Sequence, residues 1–196
     1  MYLTANGFKI IRDSLGKLNQ SQVDGINFLV KKMDEAGFSY PEAAYGLATT
    51  WIETANTMQP ISERGSHSYL DKYDTGKLAK ILGNTPEDDD DDGQKYKGRG
   101  YVQITGTNNY KKVGKLISVD LFNNPELALD HEVAASILTG GMLNGWFTGV
   151  GFRKKRPVSK YNREQYLAAR NIINGSDRAS DIADIAIFFE KALRSN

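Results

Sequence analysis

The sequence predicts a mainly helical fold with very little β-sheet. Along most of the chain, apolar residues recur at intervals of three and four, which is the period of an amphipathic helix. The chain has 196 residues, of which 40% are hydrophobic and 25% charged, so it can bury one substantial core. We therefore expect residues 1–196 to form one domain. A chain of this size can also form two lobes around a cleft without splitting into independent domains.

Two helices are predicted in the N-terminal part of the chain. The segment Ser21–Ala36 has apolar residues at helical spacing, with Ser21 as its N-cap and Gly37 as its stop. The next helix begins at Ser39-Tyr40-Pro41-Glu42, because proline is suited to the first helical turn. This helix places Glu53 at or near its C-terminal end.

The remainder of the chain alternates between irregular and helical segments. From Thr54 to Asp92, glycine and proline interrupt the helical pattern and predict turns or short elements. Residues Tyr101–Thr105 alternate as in a short strand, although the adjoining glycines also allow a turn. Helical spacing returns in four later segments, which are Tyr110–Ile117, Glu132–Asn144, Arg163–Ile173 and Ser180–Leu193.

Composition and charge exclude several classes of protein. The chain has no cysteine, which excludes disulfides, a thiol nucleophile and a cysteine-based zinc site. The formal net charge of +1 gives no general argument for a nucleic-acid partner. Charges are nevertheless clustered, as an acidic run at Asp88–Asp92 and a later basic cluster of Arg153, Lys154, Lys155, Arg156, Lys160 and Arg163.

Two glutamates have contrasting surroundings. Glu53 follows the apolar pair Trp51-Ile52, where partial burial would favour its protonated form, whereas Glu63 is followed by the cation Arg64. Hydrolysis of a glycosidic bond requires a protonated carboxyl and an ionised one. A glutamate at a helix end is more often simply solvated, so this spacing alone does not identify an active site.

A glycine-rich stretch from Asp92 to Tyr110 provides a more specific signal. Its glycines allow close backbone approach, and its side chains include the neutral donors, acceptors and ring faces that sugars need, namely Gln103, Thr105, Asn109 and Tyr110. It does not fit a phosphate loop, because Gly98-Arg99-Gly100 lacks both the Rossmann spacing and a Gly-Lys-Ser/Thr ending. The alternative interpretation is a glycine-rich hairpin with no ligand.

The same stretch closely resembles the signature of the family-19 glycoside hydrolases, the chitinase and phage-lysin group. The resemblance extends back to Ala44–Ala48 and Trp51–Thr54, where the family has its Glu-Thr general acid. It extends forward to Asn144–Gly149 and Arg170–Gly175, which are typical of the phage endolysin branch. In total it covers the chain from about Ser21 to Leu193.

The resemblance implies both a fold and a set of roles. The fold is a mainly α, lysozyme-like α+β fold, a helical bundle in two lobes with a small β-hairpin beside a substrate groove. Glu53 would be the proton donor, Glu63 the base and Thr105 the hydroxyl that holds the attacking water. The sugar subsites would be lined by Gln103, Asn109, Tyr110 and Asn174. The family inverts anomeric configuration, which implies carboxyl groups about 6.5 to 9.5 Å apart.

Two positions depart from the family pattern. The residue before the general acid is often histidine in relatives and is Ile52 here. Plant-type members also have an arginine near the position of Ile185, and this chain has none there. The departures concern the residues around the acid and the distal sugar contacts.

The function implied is that of a bacteriophage endolysin, which hydrolyses the glycan strands of peptidoglycan and lyses the host cell. We expect a monomer with one catalytic domain and no separate wall-binding module, metal or cofactor. Without a signal peptide or a long apolar segment, it would be made in the host cytoplasm. It would act in the periplasm or cell wall after release by a separate membrane-permeabilising protein.

Other functions are consistent with parts of the sequence. A chitinase would use the same residues on N-acetylglucosamine polymers. A non-catalytic peptidoglycan-binding protein would keep Gln103, Asn109 and Tyr110 but would need neither glutamate. The basic segment Arg153, Lys154, Lys155 and Arg156 could attract anionic envelope polymers or be a solvated loop, and it has no recognised nucleic-acid-binding motif.

Two metal sites are disfavoured by spacing. Asp88, Asp90 and Asp92 resemble the opening of a calcium loop, but its twelfth position is Arg99, where a glutamate is required. The only histidines are His67 and His131, and neither has the partner four residues away that a zinc-hydrolase helix would supply.

Overall fold

A computed structural model describes residues 1–85, 91–154 and 159–195. The prediction of a mainly helical fold is confirmed. Asp88–Asp90 of the acidic run, and Lys155 and Arg156 of the basic cluster, lie outside the described residues. The helices are α1 (Ala5–Leu15), α2 (Gln20–Glu35), α3 (Tyr40–Glu53), α4 (His67–Leu70), α5 (Gly76–Leu82), α6 (Asp92–Lys95), α7 (Thr107–Ile117), α8 (His131–Asn144), α9 (Arg163–Ala169) and α10 (Ala179–Leu193), and the strands are β1 (Ile61–Ser62) and β2 (Arg99–Gly100).

The capping residues explain where the predicted helices begin. Helix α2 begins one residue before the predicted start, because Asn19 and Gln22 form a reciprocal capping box. Helix α3 begins after Ser39, which forms a capping box with Glu42, and it ends at Glu53 as predicted. The sequence analysis did not identify α1, which Thr4 caps by accepting from the backbone of Gly7.

The predicted strand at Tyr101–Thr105 was wrong. Gly100 and Gln103 have positive φ angles of 82° and 51°, so the chain turns immediately after β2. Strand β2 instead pairs antiparallel with β1, with Ile61 opposite Gly100. The small sheet therefore joins two distant segments of the chain, and an isolated antiparallel bridge between Arg99 and Ile104 closes the turn.

The chain divides into two compact units, and the unit of residues 1–59 and 138–196 has α3 at its centre. Helix α3 packs against α2 and α10, and α10 also packs against α1 and α9. Because α3 is largely built of small residues such as Ala43, Ala44 and Ala48, neighbouring helices approach it closely and bury nearly its whole length. Near its C-terminal end, Trp51 packs edge-to-face on Phe189 of α10, with ring centroids 6.3 Å apart.

The second unit, residues 60–137, is organised around the glycine-rich signature. The ring of Tyr96 stacks on Phe122 at 5.6 Å and lies 5.4 Å from the ring of Tyr110. Arg99 is only 3% exposed, and its guanidinium donates to the carbonyls of Lys95 and Lys97 and forms an ion pair with Glu126. The arginine of the signature thus satisfies the carbonyls of its own loop and fixes the loop's shape.

The fold shows no candidate for a membrane span: within the described ranges, every helix is too short or too polar to cross a bilayer.

The loop that follows Glu53 is held against α2. Gln22 donates to the carbonyl of Asn56, and Gln59 donates to the carbonyl of Ser21. Gly25 of α2 faces this loop, and a Cβ at this position would overlap the carbonyl oxygen of Met58. The close approach of helix and loop therefore requires glycine at residue 25.

Substituting Gly25→Ala should destabilise the protein by about 1–3 kcal/mol, because the added methyl group must displace the backbone at Met58. The loss should appear although alanine favours helix over glycine by roughly 1 kcal/mol. Chemical denaturation measures the change, with Asn27→Ala at an exposed position of α2 as control. A Gly25→Ala variant as stable as the control would contradict the close contact.

Candidate active site

Glu53 is the last residue of α3 and is largely shielded from solvent. Its side chain is 20% exposed, and its Oε1 lies 3.0 Å from Nη2 of Arg170. Burial raises the pKa of Glu53, while the positive charge of Arg170 and its hydrogen bond act in the opposite direction. The net effect is a carboxyl group that keeps its proton to higher pH than a solvated glutamate.

Arg170 is itself buried and held by the loop that leads to α10. Its side chain is 2% exposed, and Nε donates to the backbone carbonyl of Asp177 at 2.6 Å. The Asp177 carboxylate lies 3.9 Å from Nη2. The guanidinium therefore has a fixed position from which to contact Glu53.

Buried polar atoms lie around this pair. The Nη1 atom of Arg170, the hydroxyl of Tyr45 and the hydroxyl of Thr49 have no hydrogen-bond partner among the described residues. Burial raises the pKa of the Tyr45 hydroxyl, against the opposing influence of Thr49 and Arg170 nearby. The interior next to Glu53 is thus polar, although Tyr45 and Thr49 belong to a fully buried helix face.

Arg170 was not identified as a site residue from the sequence. It appeared there only as the first residue of the motif Arg170–Gly175. The structure places Arg170, from a different segment of the chain, beside Glu53.

Glu63 directly follows β1 in the other unit, and three donors hold its carboxylate. Oε1 accepts from the Tyr73 hydroxyl at 3.0 Å and lies 3.5 Å from the Lys72 ammonium, while Oε2 accepts from the backbone of Gly98 at 3.1 Å. The side chain is 17% exposed. These contacts fix the orientation of the carboxylate.

The cation beside Glu63 is therefore Lys72, whereas the sequence analysis had named its neighbour Arg64, which is exposed. The Lys72 ammonium also lies 3.5 Å from the ring centre of Tyr69 and 4.5 Å from that of Tyr73. Burial and the charge of Glu63 raise the pKa of Tyr73, so the phenol remains a hydrogen-bond donor near neutral pH.

Gly98, the first residue of the Gly98-Arg99-Gly100 motif, connects Glu63 to Gln103. The carbonyl of Gly98 accepts from the backbone of Glu63 at 2.7 Å, in addition to the bond that its own N–H donates to the carboxylate. A Cβ at residue 98 would lie 2.8 Å from Oε1 of Gln103 and 3.2 Å from Oε2 of Glu63. Only glycine leaves room for both side chains at this position.

Gln103, Thr105 and Asn109 are linked to one another and are all half-buried. Gln103 donates to the carbonyls of Ile61 and Gly100. The Thr105 hydroxyl donates to the carbonyl of Gln103 at 2.9 Å, and the Asn109 amide donates to the carbonyl of Thr105 at 2.8 Å. The unit that holds Glu63 therefore also brings together three of the predicted site residues.

Tyr110 and Asn174, the other two predicted sugar contacts, differ from this group. Tyr110 is completely buried, and its hydroxyl donates to the carbonyl of Lys97 and accepts from Arg99. Burial raises its pKa to about 12. Because its ring has no exposed surface to offer a sugar, we assign Tyr110 to packing. Asn174 is exposed in the unit that contains Glu53, and its backbone N–H donates to the carbonyl of Arg170.

Chemically, the two glutamates fit complementary tasks. Burial raises the pKa of Glu53, which suits a general acid, and three donors orient the carboxyl group of Glu63, which suits a general base. Outside residues 86–90, 155–158 and 196, no three histidine, aspartate or glutamate side chains are grouped so that they could hold a metal ion.

Sequence comparison identifies related proteins. The family-19 glycoside hydrolase profile, described as chitinase class I, matches residues 40–151. A basic endochitinase of Vitis vinifera is 57% identical to this chain over 41 residues. That alignment covers 21% of this chain and 13% of the grape protein, so the chain matches only a small part of that relative.

Two solved structures were compared with this chain. Chitinase C from Streptomyces griseus HUT6037 superposes with a TM-score of 0.57 and 17% identity, covering 97% of this chain and 78% of its own. A bacterial family 19 chitinase gives a TM-score of 0.41 and 16% identity, covering 89% of this chain and 93% of its own. At such low identity the first superposition shows a shared fold. Since the family profile covers more than half of the chain, the protein is a glycoside hydrolase and belongs to family 19, the chitinase class I family.

Proposed function

We propose that this enzyme hydrolyses the glycan strands of bacterial peptidoglycan as a phage-type endolysin. The observation that carries the catalytic part is the contrast between Glu53, whose pKa is raised by burial, and Glu63, whose carboxylate is held by three donors. The choice of peptidoglycan is supported by Asn144–Gly149 and Arg170–Gly175, which resemble the endolysin branch of the family.

In this mechanism Glu53 is the general acid and Glu63 the general base. Glu53 donates its proton to the bridging oxygen as the bond from the anomeric carbon to that oxygen breaks. A water molecule attacks the anomeric carbon from the opposite face and transfers a proton to Glu63, so the configuration is inverted. The bond formed is between the anomeric carbon and the water oxygen.

The surrounding residues stabilise the negative charge that Glu53 gains and orient the carboxylate of Glu63. Glu53 becomes anionic when it loses its proton, and the Arg170 guanidinium at 3.0 Å stabilises that charge. Tyr73, Lys72 and Gly98 orient the Glu63 carboxylate before the reaction. The half-buried Thr105 hydroxyl is the proposed ligand of the attacking water, with Gln103 and Asn109 as sugar contacts.

The proposal also includes a biological setting. The enzyme would act as a monomer on the host cell wall, after release from the cytoplasm by a separate membrane-permeabilising protein. The basic segment of Arg153, Lys154, Lys155 and Arg156 would add electrostatic attraction to anionic envelope polymers. Of its members, Arg153 is exposed and its guanidinium lies 3.3 Å from the amide oxygen of Asn144.

A chitinase is the second candidate function, because the named relatives are chitinases. The same acid and base would cleave either polymer, since the reacting atoms are the same. Parallel assays on purified peptidoglycan and on soluble chitin oligomers distinguish the two functions. Mass spectrometry of the new reducing ends would identify whether a muramyl or a glucosaminyl bond is cut. Cleavage of chitin oligomers alone would overturn the endolysin proposal.

Replacing Glu53→Gln should lower the rate of peptidoglycan hydrolysis roughly 10²- to 10⁴-fold, because the amide has no proton to donate at the bridging oxygen. Turbidity clearing and release of reducing sugar measure the rate, and circular dichroism confirms folding. Glu164→Gln, at an exposed position of α9, provides the control and should keep full activity. Substantial activity in a folded Glu53→Gln protein would exclude Glu53 as the acid.

Two exposed residues near Glu53 should shift the pH profile in opposite directions. The charge of Asp177 raises the pKa of Glu53 and that of Arg178 lowers it. Activity requires protonated Glu53 and is lost as pH rises through its pKa. The alkaline limb of kcat should therefore move to lower pH in Asp177→Asn and to higher pH in Arg178→Asn. Asp24→Asn, on the exposed side of α2, is the control for a change in net charge. If the alkaline limb moved in the same direction in both variants, the limb would not report the pKa of Glu53.

Substituting Lys72→Met should lower kcat by roughly 10- to 100-fold, the effect expected for loss of a charge-assisted contact of about 1.5–3 kcal/mol. KM should change little, because Lys72 orients Glu63 and is not one of the proposed sugar contacts. Lys72→Arg keeps a cation beside the carboxylate and should restore most of kcat. Equal losses in both variants would mean that Lys72 acts only through packing against Tyr69 and Tyr73.

A further inference from the structure

A cavity lies in the same unit as Glu53, among α1, the C-terminal half of α10 and the segment just before α9. Its volume is about 590 Å³, which is within the range of pockets that bind small ligands. Apolar surface comes from Ile10 and Ile187, and cationic groups come from Lys160, Lys191 and Arg194. None of these residues has a role in the hydrolysis proposed above.

The charge of this pocket is not balanced. Arg194 forms an ion pair at 2.7 Å with Glu190, which is 4% exposed and also accepts from the Tyr166 hydroxyl. Both oxygens of the Glu190 carboxylate therefore already have a partner. Lys160 and Lys191 are exposed and form no ion pair within the described part of the chain. The pocket consequently presents two uncompensated ammonium groups to a ligand.

Tyr161 adds a ring face and a hydroxyl to the pocket. It is half-buried and packs edge-to-face on Tyr166, with ring centroids 5.3 Å apart. Burial, with the charges of Glu42 and Glu190, raises its pKa to about 12, so the hydroxyl stays a donor at neutral pH. A suitable ligand therefore has carboxylates or other anionic groups, separated by small apolar groups that can lie on Tyr161 and the two isoleucines.

The pocket is distant from Glu53. The Arg194 guanidinium lies 5.0 Å from the ring centre of Tyr40, the first residue of α3, whereas Glu53 is the last. At a rise of about 1.5 Å per residue, the two ends of α3 are roughly 20 Å apart. A ligand in this pocket is thus not the sugar that Glu53 protonates.

We infer that this pocket binds the stem peptide of peptidoglycan at a second point of attachment. Stem peptides carry the free carboxylates of D-glutamate and diaminopimelate together with alanine methyl groups, which match the uncompensated lysines and the apolar surface. Unmodified chitin has no anionic group and would gain nothing from the two ammonium groups. The inference rests on the proposed peptidoglycan substrate and extends it, because a second attachment point raises the effective concentration of the wall near the catalytic residues.

The direct test is a titration with the soluble tripeptide L-Ala-γ-D-Glu-meso-diaminopimelate, followed by NMR chemical shifts of the intact protein. The wild type should bind it, with shifts around Tyr161 and Ile187. Lys160→Ala/Lys191→Ala should bind at least fivefold more weakly. The matched control, Lys17→Ala/Lys31→Ala, removes two exposed lysines of the same unit and should bind as the wild type does.

Activity assays separate this inference from the proposed function. The pocket variant should show a several-fold higher KM on intact peptidoglycan and unchanged activity on glycan strands stripped of peptides by an amidase. Hydrolysis of the stripped strands tests the proposed function independently of the pocket.

The inference is overturned if the wild type does not bind the tripeptide, or if both double variants bind it equally. It is also overturned if the pocket lysines are needed for binding phosphatidylglycerol vesicles and not the tripeptide, since the ligand would then be a membrane.

Discussion

The ion pair between Glu53 and Arg170 is the interaction on which the proposed chemistry depends. A guanidinium that is 2% exposed requires partners, because an uncompensated buried charge is strongly destabilising. Arg170 finds them in Glu53, at the end of a buried helix, and in Asp177, in the loop before α10. The contact therefore links α3 to the segment that leads into α10. The charge of Arg170 also partly offsets the effect of burial on the pKa of Glu53, so that Glu53 can hold a proton and then lose it.

The surroundings of Glu63, in the other unit, differ from those of Glu53. Its carboxylate receives hydrogen bonds from a phenol and a backbone N–H and lies beside an ammonium group, so its orientation is fixed. The support depends on Gly98, where any side chain would collide with Gln103. The glycine-rich signature thus has a structural task beyond ligand approach, because its backbone holds the Glu63 carboxylate in place. Arg99 contributes by binding the carbonyls of the same loop.

Membership in family 19 establishes a glycoside hydrolase but leaves the polymer to be decided by features outside the acid and base. Both candidate polymers contain the same kind of bond, so the proposed acid Glu53 and the proposed base Glu63 cannot discriminate between them. What differs is charge, since peptidoglycan carries peptide carboxylates and unmodified chitin does not. The uncompensated Lys160 and Lys191 are therefore the kind of feature from which a preference for the bacterial wall would arise.

By itself, the sequence determined the helical class, the end of α3 at Glu53 and the signature around Gln103, because helical periodicity, capping and glycine content are local properties. Tertiary structure alone decided three other points. It placed Arg170 beside Glu53 and Lys72 beside Glu63, it paired β2 with a strand 37 residues earlier in the chain, and it buried Tyr110. Each depends on which distant segments share an interior, and burial makes such contacts energetically decisive without leaving a pattern in the neighbouring sequence.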